Sequence, residues 1–198
     1  MSLPKQITDL ADVLRGLPQV GQRQAMRFAL ALVRDGQLRA ELAAAIAALG
    51  GATARCARCL RLAETSPCRL CADSHRDQSL LLVVEEDTDL EHLEGTGAYH
   101  GQYFVLGGRF TASRGTAEEQ GLSLSALAAR LTESKGTLKE LIIAANPTID
   151  GDTLALELQR VAKTAGVATS RLGRGLPTGG EIEYADDDTL RESLQKRG

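Results

Sequence analysis

Tryptophan is absent from this chain, and aromatic residues supply only 3% of its 198 positions. Hydrophobic residues reach 43%, enough for a core, but one that must be aliphatic. No apolar run approaches the ~20 residues that a membrane-spanning helix needs, so no membrane partner is expected. No internal repeat or low-complexity linker breaks the chain. Nothing resembling a signal peptide precedes its cysteines, the pattern of a cytoplasmic protein. Cysteine is scarce too: there are four, all between residues 56 and 71, and none is left for another task.

Those four read Cys56-Ala57-Arg58-Cys59, eight residues, then Cys68-Arg69-Leu70-Cys71. Two Cys-x-x-Cys knuckles can bring four thiolates to a tetrahedral point, which suits a structural Zn²⁺ with no open coordination position. Disulfides or a redox pair are the competing readings, and a cytosolic chain that keeps its thiols reduced argues against disulfides. Four sulfurs leave no place for catalytic water, so the metal is a staple. His75 lies nearby, but the set is complete without it, and it reads as a surface residue.

Net charge is −3, unevenly spread: residues 1–55 carry +3, 56–78 carry +1 and 79–198 carry −7. A basic head on an acidic body points to nucleic acid meeting the head. In that head, Leu3, Ile7, Leu10, Leu14 and Leu17 recur at helical spacing, with Ser2 and Pro4 as start signals. A second helix is expected over about Gln22–Arg34, with Ala25, Phe28, Ala29 and Leu32 inward. A third is expected over about Gln37–Leu49, with Leu38, Leu42, Ala45, Ile46 and Leu49 inward.

Between the first two helices lies Gly16-Leu17-Pro18-Gln19-Val20-Gly21, which resembles the hairpin of a helix-hairpin-helix element. That motif binds DNA backbone without reading sequence. Leu17, Pro18, Val20, Gly21 and Ala25 fit its pattern, with Arg23 and Arg27 in the basic positions. Amides at a helix N-terminus can donate to phosphate oxygens, while arginines supply charge. Gln19 departs, standing where the first glycine is usual, and weighs against a close backbone–phosphate approach there. The competing reading is an αα-hairpin with solvated arginines.

After the knuckles, strands alternate with helices. Ser79–Val84, Tyr103–Leu106, Leu141–Ala145 and Val167–Leu172 are strand candidates. Ser123–Glu133 and Asp152–Ala165 are helical, which implies βαβ units and a sheet covered on both faces. Arg114–Gln120 is the expected mobile loop. Chemistry should sit at the strands' C-terminal ends. Glu85 follows the first strand and Asp89 falls four residues later; Asn146-Pro147-Thr148-Ile149-Asp150-Gly151-Asp152 follows the third. A glutamate there and an Asp-x-Asp pair after a later strand describe the Toprim fold, whose carboxylates hold Mg²⁺. Here Asn146 and Thr148 occupy the positions of the two aspartates. Neutral oxygens hold Mg²⁺ weakly, which weighs against that ion and against catalysis. Asp150 and Asp152 are either substitute ligands or first-turn acids of the next helix.

The tail reads Gly175-Leu176-Pro177-Thr178-Gly179-Gly180-Glu181-Ile182-Glu183-Tyr184-Ala185-Asp186. Gly175 and Gly180 have Walker A spacing, but Glu181 replaces the lysine, so a packing loop leading to an edge strand is the better reading. A short helix from Thr189 to Lys196 follows.

The order of these pieces resembles the RecR family of bacterial recombination mediators over almost the whole chain. Val83-Val84-Glu85, Tyr103-Phe104-Val105-Leu106-Gly107-Gly108, Asn146-Pro147-Thr148 and the tail carry the resemblance; Gln19 and the loop Phe110–Gln120 depart from it. The expected fold is therefore a mixed α+β chain. It would hold a helix-hairpin-helix module over 1–54, a four-cysteine zinc finger over 55–72, a Toprim-type α/β sheet domain over 79–174, and a C-terminal strand and short helix in the oligomerisation tail, 175–198. What the resemblance implies is a non-enzymatic repair factor, a nucleoid-associated homotetramer whose ring encircles single- or double-stranded DNA. Such proteins act with RecO and RecF to help RecA replace single-strand binding protein on gapped DNA. It implies DNA contacts at Gly21, Arg23 and Arg27, and zinc ligation by Cys56, Cys59, Cys68 and Cys71. It also implies that Glu85 and Asp89 hold the basic partner RecO. The alternatives are a Mg²⁺-dependent Toprim enzyme that nicks or primes DNA, and a bare zinc-ribbon adaptor.

Overall fold

The computed structural model describes residues 3–52, 54–173, 175–176, 179, 181–185 and 187–195. The chain divides into two units, residues 1–53 and 54–198.

The first unit is helical: α1 (Lys5–Arg15), α2 (Gln22–Arg34) and α3 (Gly36–Ala52). α1 begins directly after Pro4, while Ser2 lies outside the described residues. Ala11, Ala25 and Ala29 form the α1–α2 contact, ringed by Ile7, Leu10, Leu14, Val20 and Met26. Small side chains there let the two helices approach closely. The expected stripes need correction at their edges. Leu3 and Leu17 fall beyond the ends of α1 and are exposed, and Phe28 is 40% exposed because Ala25, Ala29 and Leu32 define the buried line beside it. α3 forms, capped by the Asp35 carboxylate on the Leu38 N–H at 2.9 Å. Its expected inward residues Leu38, Leu42, Ala45, Ile46 and Leu49 are nevertheless all exposed. The apolar stripe is real, but α1 and α2 already bury each other.

The second unit opens with a two-stranded ribbon, β1 (Ala54–Arg55) antiparallel to β2 (Leu62–Ala63), and a short helix α4 (Arg69–Ala72). Then come β3 (Asp77–Val84), α5 (Asp87–Gly95), β4 (Gly101–Val105), α6 (Leu124–Glu133), β5 (Glu140–Ala144), α7 (Ile149–Ala165) and β6 (Ala168–Arg171). The four long strands form one parallel sheet in the order β4-β3-β5-β6. Alternation along the strands builds two faces. Leu81, Val83, Phe104, Leu106, Leu141 and Ile143 face α6 and α7, where Leu127, Leu131, Leu154 and Leu158 complete an aliphatic core. Leu82, Val84, Tyr103 and Val105 face the other way, toward Leu90 of α5 and the four cysteines. The sheet is thus covered on both faces, with the knuckles as part of one cover.

The knuckles also manage the exposed edge that β4 would otherwise present. The Cys59 carbonyl accepts from the Val105 N–H at 2.8 Å. The buried Arg76 guanidinium donates to the Gly101 carbonyl at 2.7 Å and grips both Glu94 oxygens at 2.8 and 2.9 Å. Glu94, held by Arg76, has its carboxyl pushed below the usual range.

The segment expected to be loose, Arg114–Gln120, is tied down instead. Ala117 is fully buried, and the Gln120 side chain accepts from the Thr111 N–H and donates to the Thr111 and Gly115 carbonyls, at 3.0, 3.0 and 2.9 Å. In the tail, the described residues form a 3₁₀ turn at Ile182–Tyr184 and α8 (Asp187–Gln195), not the expected edge strand. Lys196 and Gly180 of the Walker-like spacing lie outside the described residues.

Gln19 has φ of +63°, the left-handed region that glycine enters freely. A non-glycine residue there costs about 1–2 kcal/mol, against about 0.4–1 kcal/mol of added unfolded-state entropy for a glycine. Gln19→Gly should therefore raise stability by about 0.5–1 kcal/mol, read from the denaturant midpoint at unchanged slope; a loss would contradict the strain.

Candidate functional site

The hairpin ends at Gly21, the N-cap of α2, whose side of the helix start carries no side-chain cap. Among the described residues no side chain caps this helix start, and the first amides of α2 carry the positive end of the helix dipole. Gly21, Arg23 and Arg27 are exposed, and among the described residues neither arginine forms an ion pair. Arg23 and Arg27 stand four apart, one turn of the same face.

The four cysteines converge in the second unit. All are buried, and their sulfurs lie within 4.8 Å of one another. Cys59 Sγ and Cys68 Sγ are 3.6 Å apart, too far for a disulfide. A tetrahedral metal with bonds of about 2.3 Å sets sulfurs about 3.8 Å apart, so the cluster fits one. The first knuckle turns because Leu60 adopts φ of +59° and its N–H donates to the Cys56 carbonyl at 2.8 Å. The Cys68 N–H donates to Cys56 Sγ at 3.3 Å. Burial pushes the Cys56 thiol up, but the N–H groups of Cys68, Cys59 and Arg58 outweigh it and hold it at about 6. Cys59 goes the other way, pushed up by its contact with Cys71 and by burial. Four crowded sulfurs cannot all ionise unaided; a cation resolves the conflict. His75 is exposed and stands outside the cluster.

At the C-terminal ends of β3, β4 and β5, Glu85 is 4% exposed and fully engaged by the fold. Its Oε2 accepts from the Phe110 N–H at 3.0 Å, and its Oε1 accepts from the Asn146 N–H at 3.3 Å and the Asn146 Nδ2 at 3.0 Å. Its own carbonyl accepts from Gly107 and Gly108 at 3.0 and 3.1 Å. Asp89 is half-buried and closes a capping box with Glu86, accepting from the Glu86 N–H at 3.0 Å. Asp150 and Asp152 both lie in the first turn of α7, the second of the two readings open for them. Asp150 accepts from the Ala112 N–H at 2.9 Å, and Asp152 pairs with Arg171 at 2.6 Å. Thr148 caps α7, its Oγ1 accepting from the Gly151 N–H at 3.1 Å. Gly151 admits no side chain, since an added Cβ would lie 1.9 Å from the Asn146 carbonyl oxygen.

So Glu85 directly follows β3 and Asp89 lies in the first turn of the α5 that comes next, far from equal in access, while the hairpin arginines belong to the other unit. The spacing of residues did not reveal that Asn146 would serve Glu85, or that Arg109 would pair with Glu86 at 2.8 Å. The Thr148-x-x-Gly151 start of α7 was readable as a cap; the Asn146 bond, spanning 61 positions, was not.

The four-stranded parallel sheet with these strand ends defines a Toprim protein bearing a four-cysteine knuckle, and residues 79–173 match the Toprim domain family. Residues 175–197 match the family described as RecR, C-terminal. The chain is 40% identical over 189 residues to the recombination protein RecR of Heliobacterium modesticaldum, covering 95% of this chain and 94% of that one. It is 40% identical over 198 residues to that of Moorella thermoacetica (100% and 98%), and 41% over 189 residues to that of Acidithiobacillus ferrooxidans (95% and 93%). The chain belongs to the RecR family of recombination proteins. Among its described residues, no helix is long and apolar enough to cross a membrane.

Because the cysteines share a core with Val84 and Val105, metal loss should reach the sheet. Cys59→Ser is expected to lose the bound metal and to lower the melting temperature, since binding free energy at such sites is folding free energy. Metal content and calorimetry read both; a metal-free variant melting unchanged would contradict the coupling.

Proposed function

We propose that this chain is a DNA-binding recombination mediator and not an enzyme. The observation that carries the reading is the exposed pair Arg23 and Arg27 beside an α2 N-terminus without a side-chain cap. Phosphates would be met by amides at Gly21 and the first turn, with charge from the arginines, and with no reading of bases. Gln19 already holds the backbone shape that the missing glycine would supply. Single- and double-stranded DNA are both compatible with such contacts.

The metal is Zn²⁺, one per chain, held by Cys56, Cys59, Cys68 and Cys71 as a staple. Assembly into a ring-shaped homotetramer is supported by Leu38, Leu42 and Ile46, an apolar line of α3 left 39–60% exposed. The nucleoid is where such a ring would work, with RecO and RecF, helping to load RecA on gapped single strands. The acidic strand end is the surface for the basic partner RecO. There the roles of the two expected acids differ: Asp89 is reachable, while Glu85 acts from behind, its carboxylate spent on Phe110 and Asn146.

A Mg²⁺-dependent Toprim enzyme is the second reading. Against it, Asn146 and Thr148 have structural employment, and each acid considered as a ligand already accepts a protein donor. Mg²⁺-dependent cleavage of a labelled duplex would restore it.

The DNA reading is tested by salt. Arg23→Ala with Arg27→Ala should weaken binding to all sequences alike, and each lost phosphate contact should flatten the log–log salt slope by about 0.9 on duplex DNA. An unchanged slope would move the DNA contact off the hairpin.

A further inference from the structure

Beside the buried Glu85, the surface of this strand end already holds a cation supplied by the chain itself. Arg109 Nε donates to Glu86 Oε2 at 2.8 Å, with Arg109 64% and Glu86 36% exposed at the side chain. Glu86, then Asp89 and Glu85, keep the guanidinium firmly charged. Next to the pair is a cavity of about 240 Å³ lined by Glu86, Asp87, Thr88 and Gly107.

Neither member of the pair depends on the other for its place. The Glu86 side chain also accepts from the Asp89 backbone in the capping box. Arg109 is positioned by its neighbours, since the N–H groups of Gly108 and Phe110 both bond to Glu85. The acidic group is thus preorganised, and the arginine over it is exchangeable, because an exposed ion pair is a weak contact.

We propose that Arg109 is a built-in competitor at this acidic strand end, occupying Glu86 until a basic side chain of a protein partner displaces it. The inference rests on the reading of this end as the partner surface. An incoming guanidinium or ammonium group would enter the cavity, pair with Glu86 and Asp87, and leave Arg109 in solvent. Arg109 follows Gly107 and Gly108 and immediately precedes the divergent loop, so it sets how readily this chain accepts its partner.

The test uses the full-length, zinc-loaded chain with RecO and, independently, with a hexa-arginine peptide as a partner-free probe. Arg109→Gln should bind both more tightly and faster at low salt, by about threefold to tenfold, with the gain fading as salt screens the patch. Adding Glu86→Gln to Arg109→Gln should remove the gain. Arg160→Gln, the same charge change on the exposed face of α7, is the control and should change neither probe. Equal gains from Arg160→Gln, or none from Arg109→Gln with either probe, would overturn the competitor. Gain with the peptide but no RecO binding by any variant would uphold the competitor and sink the RecO surface. RecO binding by the parent, undisturbed by Arg109→Gln, would do the reverse.

Discussion

A carboxylate held almost out of water, as Glu85 is, must find hydrogen-bond donors within the protein, because a buried polar group without them is costly. It finds three N–H groups, from Phe110 and Asn146, while its backbone carbonyl takes two more from Gly107 and Gly108. One residue at the end of β3 thereby fastens the turn after β4 and the turn after β5. Removing a partner from such a site leaves buried groups unpaired, at a cost of about 1–3 kcal/mol for each, so the joint tolerates little change. The same loop is laced further along by Asp150 on the Ala112 N–H and Glu157 on the Ala117 N–H. These acids are spent on backbone N–H groups.

The cysteine knuckles extend this logic to the sheet's edge. β4 is an edge strand whose five residues are all buried, because the Cys59 carbonyl, Arg76 and the cysteine cluster lie over it. The second unit therefore has two anchors at β3 and β4: a buried carboxylate at their ends and a cover built on the four-cysteine cluster on their face. On the surface lie the hairpin arginines of the first unit and the Glu86–Asp89 rim of the second, the two places to which the proposed binding roles are assigned.

Much of this was legible in the amino acids. The run Ser79–Val84 is continuous and apolar, as a buried parallel strand requires, and α2 falls at Gln22–Arg34 as its periodicity indicates. The two Cys-x-x-Cys knuckles carried their own geometry. What periodicity does not carry is the partner of a stripe: α3 has the pattern of a buried helix, yet its stripe is exposed. Nor does it carry long-range polar bonds. Asn146 read as a lost ligand, while in space it donates to Glu85, and Arg114–Gln120 read as loose because Ala117 and Gln120 find their partners only in the folded chain. The tail's Ile182–Tyr184 alternates like a strand but curls into a 3₁₀ turn.

A Toprim strand end whose acids are all bonded within the protein should have little left to offer a divalent cation. Mn²⁺, a paramagnetic substitute for Mg²⁺, measures this directly when titrated into the zinc-loaded chain and followed by electron paramagnetic resonance. The free-ion signal should grow in proportion to added Mn²⁺ through the millimolar range, equally for the parent and for Glu85→Gln. A saturable site of one ion per chain, lost in Glu85→Gln, would contradict it.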